Sequence, residues 1–360
     1  MLGRWSRLQN SGDLERYITQ ILLSALDLGD ENSLTGSYSV DVQLISDDEG
    51  YFDFIPNFPI SFALNVELNR KILDIVVGAC YPMLTFYGSN GPEFVPTDSD
   101  NINTARALRF WFKIGTYSRI AGSLSNAYVQ DGKLKLMNGF EYDSKVNSGH
   151  IAISGASGSG KTQFALYLLS AFYNSGAKIS IVDPKLDDSL YHWATSRNDV
   201  DYHYPQIGAN SNAFDNEALE VLSNAFNKIG KRQSSVLSGD ETDFEPYIIF
   251  VDEAAAYSSK KIQDIVNKIV LMGRSCKVWL WISAQSMDAK TVISSTARDS
   301  MGLRVVLSSN PSANDCRYLF KDFDPSSIVI KRDEFPFGLG LIEQQSDGRI
   351  VPFLAPKIEK

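Results

Sequence analysis

The sequence predicts an α/β fold built on a mostly parallel β-sheet and preceded by a smaller unit that mixes helices and strands. Two observations lead to this prediction. The first is a glycine-rich segment at residues 155–162, which lies between a short apolar run and an apolar helical run. The second is a series of continuous apolar runs that alternate with helical segments in the last 215 residues or so, the pattern of a parallel sheet covered on both faces.

The apolar runs of the larger part have the length of buried strands. After the short run at residues 151–154, the predicted strands cover residues 178–183, 247–252, 278–283 and 303–307. Each is bounded by polar or helical sequence, so the chain must cross over between neighbouring parallel strands. Residues 126–360 are therefore predicted to form one α/β domain.

The first third of the chain has a different pattern. Apolar residues recur at helical spacing over residues 13–28, residues 37–45 alternate as a strand does, and residues 65–77 again have helical spacing. The segment 87–101, rich in Gly, Pro, Asn and Asp, is a candidate inner linker. We predict a smaller α+β accessory domain over residues 1–125.

The composition indicates a globular protein of the cytoplasm. Of the 360 residues, 44% are hydrophobic and 21% charged, and the net charge of −9 argues against a protein that coats nucleic acid along its whole surface. Cys80, Cys276 and Cys316 are widely spaced and predict no disulfide. No apolar run is long enough to span a bilayer, so we expect no direct membrane insertion. Charge is nonetheless uneven, because residues 255–304 hold eight Lys or Arg against three Asp.

The glycine-rich segment has the pattern of a P-loop. Its glycines let backbone N–H groups converge on a triphosphate, and Lys161 adds a positive charge for the β- and γ-phosphates. The Thr162 hydroxyl is a predicted Mg²⁺ ligand at the start of a helix whose dipole favours anions. ATP and Mg²⁺ are the predicted cofactors. The predicted ATP-contacting residues are Gly155, Ala156, Ser157, Gly158, Ser159, Gly160, Lys161, Thr162 and Gln163.

A second group of polar residues follows the later strands. Asp252 and Glu253 come directly after four apolar residues, the Walker B arrangement, in which the Asp holds Mg²⁺ and the Glu orients the attacking water. Gln285 follows the next strand and is a candidate sensor of the γ-phosphate. Arg274 and Arg304 are candidates for stabilising the transition-state charge, and an arginine that acts on a neighbouring subunit would require an oligomer.

These motifs together resemble those of one superfamily. The matching residues are His150, the segment 155–162, Asp183-Pro184-Lys185, Asp252-Glu253, Gly273-Arg274, Ser283-Ala284-Gln285 and Arg304-Val305-Val306-Leu307. They resemble the FtsK/SpoIIIE branch of the FtsK/HerA superfamily of DNA-pumping ATPases. Within that branch, residues 285–290 and 297–299 are most similar to the coupling-protein-like ATPases of Gram-positive conjugative plasmids and integrative elements.

The resemblance implies a RecA-like P-loop ATPase domain that assembles into a hexameric ring and moves DNA. By this resemblance the catalytic residues are Lys161, Glu253, Gln285 and the trans-acting Arg274, the metal contacts are Thr162 and Asp252, and the DNA-contacting pore residues are Lys290 and Arg298. Ser286 departs from the pattern, because relatives often have Arg at that position.

Three functions stay open at the level of sequence. The first is a DNA translocase that serves conjugative transfer, replication or segregation, with DNA of either strandedness as its track. The second is a related ATPase that moves or remodels protein. The third is a nucleotide-dependent scaffold for a relaxase or replication protein. Relaxase, replication and membrane-channel proteins are the candidate partners, and recruitment to a membrane by such a partner stays an open alternative.

Overall fold

The chain is described here by a computed structural model that covers residues 10–26, 38–57, 65–88, 91–206, 211–257, 259–288, 292–321, 323–325, 328–330 and 332–359. It divides into two compact units. The first comprises Met1–Tyr117, Asp322–Lys331 and Arg349–Val351, and the second comprises Ser118–Lys321, Arg332–Gly348 and Pro352–Lys360. The domain boundary at residues 125 and 126 stays a prediction.

The first unit contains two helices and an antiparallel sheet. Its elements are α1 (Ser11–Leu26), β1 (Tyr38–Leu44), β2 (Glu49–Pro56), α2 (Val66–Cys80), β3 (Leu84–Phe86), β4 (Glu93–Pro96) and β5 (Arg106–Ile114). The strand order is β1-β2-β5-β3, and β4 also pairs with β5. Every pairing of these strands is antiparallel.

The core of the first unit follows from helical and strand periodicity. Leu14, Ile18 and Leu22 lie on one stripe of α1 and are fully buried. They belong to one cluster with aromatic residues of the sheet such as Phe52 and Phe112. Each fully buried side chain of this kind contributes about 1.5–3 kcal/mol relative to an exposed one. The helix predicted over residues 13–28 is observed over Ser11–Leu26.

The second unit contains most of the long central sheet. The elements that follow the first unit along the chain are β6 (Ala121–Gly122), β7 (Lys133–Met137), β8 (Phe140–Asp143), β9 (Ile151–Gly155), α3 (Lys161–Asn174), β10 (Lys178–Val182), α4 (Asp188–Thr195), β11 (Val200–His203), α5 (Ser211–Ser238), β12 (Tyr247–Val251), α6 (Lys260–Met272), β13 (Val278–Ala284), α7 (Ser295–Asp299), β14 (Leu303–Leu307), α8 (Ala313–Cys316), β15 (Leu339–Gln344), β16 (Ile350–Leu354) and β17 (Lys357–Ile358).

The central sheet has eight strands in the order β11-β10-β12-β13-β9-β14-β15-β16. The five pairings from β11 to β14 are parallel, and β14 pairs antiparallel with β15. The predicted α/β fold with a mostly parallel sheet is therefore confirmed. Strands β11, β15 and β16 were not among those predicted from the sequence. None of the helices among the described residues combines the length and apolar character that a membrane crossing requires.

The register of β9 with its two neighbours sets the position of the loops that follow. Ser154 lies opposite Ala284 of β13, and Gly155 lies opposite Leu307 of β14. On β12, Val251 lies opposite Ile282. The carboxyl ends of these parallel strands therefore lie at the same edge of the sheet, where doubly wound folds bind their ligands.

His150 is buried at the other edge, one residue before β9. It is completely shielded from solvent, and this burial lowers its pKa to about 3. Its Nδ1 atom accepts a hydrogen bond from the Leu280 N–H at 2.9 Å. Among the described residues its Nε2 atom has no hydrogen-bond partner. A protonated ring would lose the bond to Leu280 and carry an unpaired buried charge, so the folded state requires the neutral form.

We predict that His150 makes the fold sensitive to acid. The unfolded chain takes up a proton on this ring near pH 6.5, whereas the folded chain does so only near pH 3. The stability that the neutral ring provides is present above pH 6.5, and it falls by about 1.4 kcal/mol per pH unit as pH drops between these values. Urea unfolding of His150→Gln should show a slope against pH that is smaller by this amount. The exposed His192 provides the control His192→Gln, and equal slopes for all three proteins would contradict the prediction.

Candidate nucleotide site

The glycine-rich segment forms the turn between β9 and α3. Gly158 and Gly160 have left-handed backbone, with φ of 77° and 101°, which side chains with a Cβ rarely adopt. At Gly155 a Cβ would lie 2.6 Å from the Leu307 carbonyl oxygen. Gly158 and Gly160 are therefore required by their backbone conformation, and Gly155 is required by close packing. Without side chains at these positions, the backbone N–H groups of the loop stay accessible to a phosphate group.

Lys161 and Ser159 provide the polar side chains of this loop. The Lys161 ammonium donates to the carbonyl oxygens of Gly155 and Ala156 at 2.6 and 3.1 Å. Burial lowers its pKa, and the carboxylates of Asp252 and Glu253 oppose that effect. The Ser159 hydroxyl is buried and has no hydrogen-bond partner within the described part of the chain. A half-buried cation and an unpaired hydroxyl at the same loop fit an anionic ligand such as a phosphate.

Asp252 and Glu253 follow β12 at the same edge of the sheet. The Ser283 hydroxyl donates to Oδ1 of Asp252 and accepts the Glu253 N–H at 3.3 Å. Burial raises the pKa of Asp252. Glu253 is held at both carboxylate oxygens, because Oε2 lies 2.7 Å from the Lys185 ammonium and Oε1 accepts the Gln285 N–H at 3.3 Å. The neighbouring strand β13 thus orients both carboxylates.

The loop after β10 lies at the same edge of the sheet and contributes further charged side chains to it. Asp183 is fully buried and accepts the backbone N–H groups of Lys185 and Asp187 at 2.8 and 2.6 Å, together with the Tyr202 hydroxyl at 2.6 Å. Asp187 in turn caps the N-terminus of α4 and accepts the Thr162 hydroxyl at 3.4 Å. This loop therefore fixes Lys185 beside Glu253, and through Asp187 it connects the P-loop residue Thr162 to the N-terminus of α4.

These side chains share one cavity of about 490 Å³. One group of lining residues belongs to the P-loop and the carboxylate region and includes Lys161, Thr162, Lys185, Asp187, Asp252 and Glu253. A second group comprises Arg119, Phe335, Phe337, Gly338, Ala355 and Pro356. None of the residues in this second group was predicted from the sequence. The run Phe335-Pro336-Phe337-Gly338 was its only sequence signal, since nothing in the pattern marks Arg119.

The Mg²⁺ prediction fits the donors of this cavity. Thr162 offers a hydroxyl and Asp252 a carboxylate, both hard oxygen ligands of the type that Mg²⁺ prefers. Among the described residues, no three Asp, Glu, His or Cys side chains cluster as a metal site. An ion bound by few protein ligands fits this arrangement, because Mg²⁺ commonly takes its remaining ligands from water and substrate phosphates.

Gln285 lies on the other side of the P-loop. It follows β13 and lines a second cavity of about 280 Å³ together with residues 154–159. Its backbone carbonyl accepts the Ser154 hydroxyl at 3.3 Å, and its N–H holds Glu253. The structure therefore brings Gln285 to the P-loop and the carboxylates, while its role as a sensor stays a prediction.

Arg274 lies at the opposite edge of the sheet. It precedes β13, and its guanidinium donates to the Val146 carbonyl, before the start of β9, at 3.2 Å. It lines a separate cavity of about 500 Å³ near the C-terminal end of α3. Arg274 therefore does not reach the nucleotide cavity of its own chain, which leaves action on a neighbouring subunit as the predicted role.

The remaining predicted residues are placed as follows. Arg304 is largely buried at the start of β14, with its Nε atom 3.4 Å from Oε2 of Glu343, so it pairs within the sheet. Arg298 on α7 donates to the carbonyl oxygens of Met287 and Tyr318 at 3.2 and 2.9 Å. Its DNA contact stays a prediction. Lys290 lies outside the described residues.

Fold and site together define a P-loop domain with a mostly parallel sheet. No protein-family model matches the chain. The chain is 23% identical over 254 residues to the FtsK domain-containing protein YdcQ of Bacillus subtilis (strain 168), and the match covers 66% of this chain and 49% of that protein. The chain thus spans about half the length of this curated relative.

Two solved structures show a similar fold. The pCW3 conjugation coupling protein TcpA, a monomer form with ATPγS, has a TM-score of 0.52 at 12% identity, over 96% of this chain and 95% of that chain. EssC (ATPases 2 and 3) from Geobacillus thermodenitrificans has a TM-score of 0.50 at 13% identity, over 67% of this chain and 47% of that chain. The sequence match confirms the predicted resemblance to proteins of the FtsK type, and the two structures show that a conjugation coupling protein and EssC have a similar fold.

We predict that glycine at position 338, at the wall of the cavity, is required for full stability of the fold. Gly338 has a φ of 68°, and a Cβ there would lie 2.8 Å from the Ala355 Cβ. Gly239 has a similar φ of 78° but open space around it, so Gly239→Ala isolates the cost of the backbone conformation. Gly338→Ala should lower the free energy of unfolding by about 1–3 kcal/mol more than this control, because it adds steric overlap in a packed region. Urea unfolding measures the difference, and equal losses in the two variants would show that the packing at Gly338 is tolerant.

Proposed function

We propose that the chain binds ATP with Mg²⁺ and hydrolyses it. The observation that supports this most is the shared cavity, which brings the P-loop and a firmly held Glu253 together. In this proposal Lys161 and the P-loop N–H groups bind the β- and γ-phosphates, and Thr162 and Asp252 hold Mg²⁺. When bound, the ion neutralises charge on the phosphate oxygens.

Glu253 is the proposed group that orients the attacking water. It is nearly buried, with 11% of its side chain exposed, whereas its partner Lys185 is 53% exposed. The bonds from Lys185 and the Gln285 N–H fix both carboxylate oxygens at the cavity wall. A fixed carboxylate loses little entropy when it engages the water, which is the physical basis of catalysis by preorganised groups.

We further propose that hydrolysis drives movement of DNA by a hexameric ring. This rests on the resemblance to FtsK/HerA ATPases, on the FtsK domain of YdcQ and on the coupling protein TcpA among the similar folds. The basic segment at residues 255–304 offers charge for phosphate contacts, with Lys290 and Arg298 as the proposed pore residues. Conjugative transfer, replication and segregation are the candidate processes, in the cytoplasm, with a relaxase, replication or membrane-channel protein as candidate partner.

Steady-state ATP hydrolysis tests this proposal. The purified protein is assayed without DNA, with single-stranded DNA and with duplex DNA, each at low and high salt. We expect one form of DNA to stimulate hydrolysis, and the stimulation to fall steeply with salt, because each neutralised phosphate releases counterions. Glu253→Gln should bind ATP without hydrolysing it. Hydrolysis without any response to DNA would contradict the DNA motor and favour an ATPase that acts on protein or serves as a scaffold.

We predict that Arg274 acts on the neighbouring subunit. Arg274→Ala alone should lose about a hundredfold or more in hydrolysis rate, as expected for an arginine that stabilises phosphoryl transfer. Mixing it with Glu253→Gln before ring assembly should restore activity, because about one subunit interface in four then combines an intact Glu253 with an intact Arg274.

The matched control mixes Lys161→Ala with Glu253→Gln. Lys161 and Glu253 line one cavity of one chain, so no site in that mixture holds both residues and no activity should return. If Arg274→Ala keeps the parent rate, or if its mixture with Glu253→Gln stays inactive, Arg274 is not a trans-acting residue.

A further inference from the structure

The P-loop is not the whole lining of the nucleotide cavity. Arg119, Phe335, Phe337, Ala355 and Pro356, residues that no phosphate requires, also line it, and we call this part of the lining the aromatic end of the cavity. We propose that this end is the nucleobase subsite, where the base of the bound nucleotide stacks on Phe337. The inference rests on the proposed function, because it places the base of the same nucleoside triphosphate whose phosphates occupy the P-loop.

Arg119 holds this end of the cavity together. Only 8% of its side chain is exposed. Its Nε and Nη2 atoms donate to both carboxylate oxygens of Asp333 at 2.6 and 3.2 Å, and Nη2 also donates to the carbonyl oxygens of Phe335 and Phe337 at 3.4 and 3.0 Å. Nη1 donates to the Ala355 carbonyl. All three nitrogens are thus engaged with protein, which makes Arg119 a positioning residue rather than a phosphate ligand.

Phe337 is the surface that this arrangement presents. Its side chain is 49% exposed, although its backbone is fixed by Arg119. Its ring meets the Phe335 ring edge-on, with centroids 5.7 Å apart and an interplanar angle of 80°. The Arg119 guanidinium lies 5.1 Å from the Phe335 centroid. A large apolar ring at the wall of a cavity, on a backbone held by Arg119 and in contact with the Phe335 ring, can offer its face to a flat aromatic ligand.

The ring site is connected directly to the P-loop. The N–H of Gly338, the residue after Phe337, donates to the Ser159 carbonyl at 2.8 Å. At Gly160 a Cβ would lie 2.9 Å from the Gly338 nitrogen, so the two segments are in close contact. The spacing between the phosphate end and the aromatic end is therefore fixed, as binding of one nucleotide across both ends requires.

The chemistry of the lining indicates how the base is recognised. The side chains of Phe335, Phe337, Ala355 and Pro356 carry no hydrogen-bonding group, and the nitrogens of Arg119 already donate to protein. The side chains therefore contact the face of the base rather than its edge. Every base has such a face, and stacking of this kind tolerates different bases.

The test separates the base from the phosphates by measuring Mg²⁺-dependent binding of ATP and of inorganic tripolyphosphate by calorimetry. Phe337→Ala should raise the Kd for ATP about tenfold, the effect expected from losing one stacked base, and leave the Kd for tripolyphosphate unchanged. Phe337→Trp, which keeps an aromatic ring at this position, should bind ATP about as tightly as the parent protein does. Arg119→Lys should show the same split as Phe337→Ala. Phe94→Ala is the matched control, because Phe94 is 53% exposed on β4 of the first unit and should leave both constants unchanged.

Two results would overturn the subsite. One is an unchanged ATP affinity in Phe337→Ala, and the other is an equal loss for ATP and tripolyphosphate, which would mean that the ring supports the P-loop instead of the base. Failure of the proposed function gives a different result. In that case the parent protein binds neither ligand, or Lys161→Ala binds both as the parent does.

Discussion

The pairing of β9 with β13 on one side and β14 on the other determines where every group of the nucleotide site lies. In a strand that is buried on both faces, alternation of polar and apolar residues cannot fix the register. Here, close backbone approaches at glycine contribute to it. A Cβ at Gly155 would meet the Leu307 carbonyl, and one at Gly302 would meet the backbone of Ser148. These contacts favour the register in which the carboxyl ends of β9, β13 and β14 lie side by side at one edge of the sheet. The P-loop then lies beside Gln285 and the carboxylates.

The edge of the sheet also concentrates negative charge in a place with little water. Asp183, Asp252 and Glu253 are all buried, and three isolated carboxylates there would be costly. Backbone N–H groups satisfy Asp183, the Ser283 hydroxyl satisfies Asp252, and Lys185 pairs with Glu253. Lys161 lies in the same cavity with its pKa lowered by burial. The negative charges of these carboxylates are therefore partly neutralised by Lys161 and Lys185 without a ligand. A triphosphate and its metal ion would add further charges of both signs.

Much of this arrangement could be predicted from sequence because its parts are short and local. A P-loop and a strand that ends in Asp252-Glu253 are contiguous motifs, and the strands that carry them are strongly apolar. The aromatic end of the cavity could not be predicted, because Arg119 and Asp333 are 214 residues apart and only the fold joins them. The edge strands β11 and β16, and β15 next to β16, were missed beside stronger apolar runs. Arg274 was a candidate both as an arginine near the strands and by resemblance, and its position just before the predicted strand 278–283 agrees with the edge of the sheet at which it lies.

The backbone conformation of Glu253 lowers the stability of the folded chain. Glu253 has left-handed backbone, with a φ of 41°, a conformation that costs a residue with a side chain on the order of 1–3 kcal/mol. Glycine would adopt it without that cost. Selection for a more stable chain alone would therefore replace this glutamate, and keeping it means that part of the folding free energy is given up to aim one carboxylate. A screen for thermostable variants would therefore favour glycine at this position, and such a variant would lack the carboxylate proposed to orient the attacking water.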